Sequence, residues 1–190
     1  MGALAEDADA DGLRRRAPAR GPLRQRLRAG EIGKLEQLTI ISRDPGEPPR
    51  AYIAISGGIY RDQAIHDFDM ARHFVGDIVE VSSFGANAFS DDIKAEGDYD
   101  SAFTNLRAAD GTLITVLNSR RAVYGYDQRI EAFGSKGMLQ GNNLTPTAVE
   151  AFGTDYSNKR EPFLEFFLER YAYAYSHELE QFILSIANGE

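Results

Sequence analysis

From Ile78 to about Gly153 the chain reads as four or five strand-like segments separated by turn signals, with no helical pattern between them. This run constrains the fold more than any other feature. Consecutive strands joined by short turns build an antiparallel sheet by hairpins, whereas a doubly wound nucleotide fold needs strands and helices in alternation. The clearest hairpin joins YDSAFTNLRA, 99–108, to TLITVLNSRRA, 112–122, through Ala109, Asp110 and Gly111. A second joins YDQRIEAFG, 126–134, to GMLQG, 137–141, across Ser135 and Lys136. No G-x-G-x-x-G occurs, nor a P-loop, so nothing in the sequence cradles a phosphate by a known motif.

The flanks supply the other layer. A short helix is expected from Pro22, a favourable first-turn residue, to a stop at Gly30. KLEQLTIISR, 34–43, reads as a strand, bounded by the loop DPGEPP. Residues 61–76, RDQAIHDFDMARHFVG, read as a helix closed by Gly76. A long amphipathic helix is expected from Pro162 to Ala187, with Leu164, Leu168, Tyr171, Tyr175, Leu179, Phe182 and Ile186 on one side. The order predicts an α+β fold: an open, mostly antiparallel sheet with helices packed on one face, and no Rossmann domain. Residues 1–20 read as a disordered or unrelated leader, and 21–190 as one domain.

Charge narrows the partners. Residues 14–28 hold seven arginines and residues 1–12 four acids, which leaves the remainder with 14 basic and 25 acidic residues. A body with that excess of acid is a poor match for a phosphate backbone, so a nucleic-acid partner is not expected and the arginine run reads as a solvated leader. The chain has no cysteine, which excludes thiolate metal clusters and cysteine nucleophiles and fits a reducing cytoplasm. No apolar run approaches the length of a membrane span, and the acidic MGALAEDADADG start is unlike a secretory signal.

The helix over 61–76 is where chemistry could sit. At 100° per residue Asp62, His66, Asp69 and His73 share a narrow arc, opposite Ala64, Phe68, Ala71 and Val75. Two of the three histidines therefore share a stripe with two carboxylates. An Asp four residues before a His can bond to one ring nitrogen, fix the tautomer and leave the other nitrogen free to take a proton. Two other readings stay open on spacing alone. The stripe could be a solvated face, or His66, Asp69 and His73 could ligate a metal, although no further ligand lies nearby in sequence.

The segment SGGIYRDQAIHDFDMAR, 56–72, resembles the signature of the Gfo/Idh/MocA oxidoreductases, and within them is most similar to the myo-inositol 2-dehydrogenases. GEIGKLEQLTIISRDP (30–45), YGYDQRIEAFGSKGML (124–139) and PFLEFFLERYAYAYSHELEQF (162–182) agree with it in order. The resemblance implies a substrate-side sheet domain and an NAD or NADP cofactor bound by a separate Rossmann domain. It implies His66 as the base that takes a hydroxyl proton while hydride leaves the carbon, with Asp62 holding and tuning it. Tyr126 and Tyr124 match positions that contact a cyclic polyol. The family's glycine fingerprint and its E-K-P lysine are absent, so no cofactor-binding residue is assigned here and no metal ligand is carried over. The chain is expected to be a half cut at both ends, inactive alone, and to form a homo-oligomer through the sheet face. Competing expectations are a non-catalytic sheet-mediated oligomerisation module, a dehydrogenase of another sugar or polyol, and a metal-assisted hydrolase on the His66 stripe.

Overall fold

The computed structural model describes residues 20–189. The expected leader therefore lies outside the described residues, except for Arg20, which opens helix α1 (Arg20–Arg28). Strand β1 (Leu35–Arg43) follows, then α2 (Arg50–Ser56), a π-helical turn (Tyr60–Ala64) and α3 (Ile65–Val75). After β2 (Ile78–Ala86) and the short α4 (Asp91–Ala95) come the expected hairpins, β3 (Ser101–Ala108) with β4 (Leu113–Ser119), and β5 (Asp127–Gly134) with β6 (Gly137–Gly141). A two-residue ladder pairs β7 (Glu150–Ala151) with β8 (Lys159–Arg160), and α5 (Phe167–Arg170) and α6 (Ala172–Asn188) close the chain.

Six strands form one sheet in the order β2-β3-β4-β1-β5-β6. Every pairing is antiparallel except β1 with β4, because β1 is inserted between the two hairpins and runs alongside β4. The alternation of side chains divides the sheet into two unlike faces. Leu38, Ile40, Leu106, Ile114, Val116, Ile130, Ala132 and Leu139 form the core with Met70 and Ala71 of α3 and Leu23 of α1. The opposite face carries Phe84, Phe103, Leu113, Phe133 and Met138 in the open, with Phe84 70% exposed. The expectation of an open, mostly antiparallel sheet with helices on one face holds.

Three local expectations need correction. The helix read over 61–76 begins with a π turn. Helices α2 and α4 went unread because their sequences, RAYIAIS and DDIKA, are too short to show a period. The long terminal helix is shorter and broken: Phe166 is extended (φ −151°, ψ −178°) and Tyr171 (φ −109°, ψ 11°) separates α5 from α6. Tertiary aromatic packing overrides helical propensity here, since Phe163 meets Tyr124 and Phe166 meets Tyr126 at centroid separations of 6.1 and 5.6 Å. The predicted apolar stripe is buried at Tyr171 and at neighbouring Ala174, while Leu179, Phe182 and Ile186 are exposed. Among the described residues no helix is long and apolar enough to cross a membrane.

Candidate active site

The C-terminal ends of the parallel strands β1 and β4 meet the start of α3, and polar groups concentrate there. Asn118, Ser42 and Gln128 form one row across β4, β1 and β5 on the helix-covered face, next to the apolar row of Val116, Ile40 and Ile130. Gln128 Nε2 donates to Ser42 Oγ at 2.7 Å, and Asn118 Nδ2 donates to Asp67 Oδ2 of α3 at 2.7 Å. Gln63, from the π turn, donates to the carbonyls of Ser42 and Ser119 and so stitches α3 to both strand ends. Each of these side chains makes a hydrogen bond that offsets part of its burial cost, while Gln63 Oε1 and Asn118 Oδ1 accept none.

One alternation further on, Arg120 falls on the same face as Asn118, and its side chain is only 1% exposed. Its Nη1 donates to Asp62 Oδ2 at 2.8 Å and its Nη2 to Asp98 Oδ2 at 3.1 Å. Asp98 in turn accepts the Ile59 backbone N–H at 2.8 Å through Oδ1. The other oxygen of Asp62 accepts the Tyr52 hydroxyl at 2.5 Å. That bond to a carboxylate, aided by burial, pushes the Tyr52 phenol above its ordinary pKa and keeps it protonated. The close fit explains Gly58: its φ is +86°, and a Cβ there would lie 2.9 Å from Asp98 Oδ1.

His66 lies on the first turn of α3, four residues after Asp62, and is half-buried. Four residues along an α-helix overshoot a full turn by about 40°. Asp62 lies in the π turn Tyr60–Ala64 and His66 in the α-helix that follows it, so their spacing spans the junction of the two registers. Asp69 and His73 follow on the same helix, with the His73 ring edge-on to Phe74. Among the described residues no group of three or more His, Cys, Asp or Glu side chains is arranged to hold a metal ion.

The two tyrosines take different surroundings. Tyr126 sits two residues before Gln128 on the helix-covered side, is 2% exposed, and packs edge-on against Phe166 and Tyr171. Tyr124 turns to the other side: its hydroxyl donates to Asp127 Oδ2 at 2.7 Å and accepts from Arg43 Nη1 at 2.8 Å. Arg43 and Asp127 are paired across β1 and β5 in the uncovered-face rows, away from α3. Burial alone would raise the Asp127 pKa, but hydrogen bonds from Arg129, Tyr124 and Asn143 and the Arg129 charge outweigh it, and the carboxyl falls to about 2. The described residues thus bring together Asp62, Tyr52, Arg120 and Asp98 one helical turn before His66, with Tyr126 on the same face and Tyr124 on the other.

Sequence reasoning missed Tyr52, Asp98 and Arg120. One signal was present: an arginine that continues the alternation of Ile114, Val116 and Asn118 must enter the covered face, and a buried guanidinium needs carboxylates. Which carboxylates could not be read, because Asp62 and Asp98 are 58 and 22 residues away in the chain. No Gly-rich strand-to-helix turn occurs among the described residues, and β2 and β3 intervene between the parallel strands. These residues do not fit a dinucleotide's pyrophosphate.

The open sheet with helices on one face defines an α+β domain of a known family. The family model described as GFO/IDH/MocA C-terminal domain matches residues 22–140, and the chain belongs to that family. It is 47% identical over 169 residues to an inositol 2-dehydrogenase of Rhizobium meliloti, covering 88% of this chain and 51% of that protein. The structure of a myo-inositol dehydrogenase from Corynebacterium glutamicum superposes with a TM-score of 0.90 at 51% identity, over 93% of this chain and 53% of that one. A scyllo-inositol dehydrogenase from Lactobacillus casei, solved with NAD(H) and scyllo-inositol, superposes with a TM-score of 0.80 at 27% identity, over 94% and 54%. The chain spans about half the length of the relatives it matches.

Proposed function

We propose that this chain is the substrate-side half of an NAD-dependent dehydrogenase acting on a cyclic polyol such as an inositol. The observation that carries the reading is the Asp62 carboxylate, held by Arg120 and Tyr52 one turn before His66 at the start of α3. In this reading His66 takes the proton from a substrate hydroxyl as the carbinol carbon becomes a carbonyl carbon. Asp62 orients the imidazole and stabilises its protonated form. NAD, held by the other half of the protein, supplies the hydride acceptor. The match to a polyol-contacting position is kept for Tyr126, on the face that carries His66, and not for Tyr124, which is bonded to Asp127 and Arg43 on the other side of the sheet. Without a dinucleotide cradle the isolated chain is inactive. Its uncovered face, with Phe84, Phe103, Leu113, Phe133 and Met138 in the open, associates with a second copy.

The test joins residues 22–190 to the half of the Rhizobium meliloti inositol 2-dehydrogenase that this chain does not match. The fusion is expected to reduce NAD with an inositol isomer, and residues 20–190 alone to show no saturable NAD binding. His66→Ala in the fusion lowers kcat by roughly a hundredfold or more, the usual worth of a positioned acid–base group. His73→Ala stays near the unmodified rate. A fusion that binds NAD yet oxidises no inositol isomer overturns the substrate class. Equal losses at His66 and His73 overturn the base assignment.

A further inference from the structure

Asp62 sits on a π turn with its side chain 18% exposed. Two donors fix it from outside, one on each oxygen: the Tyr52 hydroxyl on Oδ1 and the Arg120 guanidinium on Oδ2. Arg120 cannot swing away, because its other arm is bonded to Asp98, which is bonded to the backbone of Ile59 just before the turn. The chain of contacts therefore begins and ends on the segment that carries Asp62. A lysine could not replace Arg120, since a single ammonium on a flexible stem lacks the fork that reaches two carboxylates at once.

We infer that Tyr52 and Arg120 are positioning residues, which act on the reaction through Asp62 by clamping its carboxylate one helical turn before His66, with Asp98 as the anchor of the clamp. The inference rests on the proposed roles of Asp62 and His66. Placement matters at this level because a displacement of about 1 Å in a catalytic group can cost on the order of a hundredfold in rate. A positioning role also has a signature that a general folding role lacks. Once Asp62 is gone, its clamp has nothing left to position.

The experiment is a double-mutant cycle on kcat in the fusion described above. Tyr52 is 46% exposed, so Tyr52→Phe removes one hydroxyl from the surface with little risk to folding. It is expected to lower kcat about fivefold, the equivalent of one hydrogen bond, with the KM for NAD unchanged. In an Asp62→Ala background the same substitution is expected to change kcat by less than about twofold. Arg120→Lys is expected to cost more than Tyr52→Phe and likewise to lose its effect without Asp62. Should an Arg120 variant fail to fold, the Tyr52 cycle decides alone. A fivefold Tyr52→Phe loss that persists in Asp62→Ala overturns the clamp and leaves the Asp62–His66 reading standing, as does a Tyr52→Phe variant with the unmodified rate. An Asp62→Ala enzyme as active as its parent overturns both.

Discussion

Asn118 Nδ2 on β4 donates to Asp67 Oδ2 on α3 at 2.7 Å, and both side chains are buried. This buried hydrogen bond ties the helix carrying His66 to the central sheet at a fixed rotation. It lies in the polar row with Ser42 and Gln128, so α3 is registered on the sheet by polar contacts as well as by Met70 and Ala71. Replacing Asn118 by Leu keeps the branched shape but leaves the buried Asp67 carboxyl without that donor. The expected cost is about 2–3 kcal/mol, visible as a lower urea midpoint with an unchanged m-value. A midpoint equal to that of the parent would show that the row does not hold the helix.

Asp127 sets an acid limit. Its folded pKa of about 2 lies below the ordinary 3.8, so the folded state binds the proton less tightly than the unfolded state does. The resulting stability is fully present above about pH 4 and is lost as pH falls toward 2, amounting to about 2 kcal/mol. Denaturation followed at pH 5, 4, 3 and 2 should show this slope, and Asp127→Asn should flatten it.

Gly58→Ala tests the fit of the loop against Asp98. The substitution forces either a side chain into φ +86° or a shift of Asp98, whose Oδ1 would lie 2.9 Å from the new Cβ. A loss of about 2 kcal/mol in stability is expected, read by thermal melting. A variant that melts with the parent would mean that the loop relaxes freely around Asp98.

The uncovered sheet face gives the fourth prediction. Phe103 and Phe84 are opposed across β3 and β2 and both are exposed. If that face associates as proposed, Phe103→Lys should shift light scattering from a dimer or larger toward the monomer, since the contact would bury an unpaired charge. An unchanged mass would assign association to another surface.

Alternation in 99–122 and 126–141 determined the two hairpins and their register, because a strand buried on one face alone admits no slip of one residue. The apolar spacing of 61–76 showed Ala64 and Ala71 on the core side of the helix, but the buried face is turned toward Met70 and Asp67, because Asp67 is drawn inward by Asn118. The Asp62–His66 spacing was legible for a local reason: four residues on a helix return to one side. Tertiary structure decided what lies beyond local periodicity. It placed β1 between the hairpins, a choice among pairings that all bury the same apolar face. It delayed the terminal helix past Phe163 and Phe166, which pack on Tyr124 and Tyr126, and broke it at Tyr171, which packs on Tyr126. It also drew Arg120 from the end of β4 to Asp62 and Asp98, because a buried guanidinium must find its carboxylates wherever the fold brings them, and the chain carries no local mark of which ones those are.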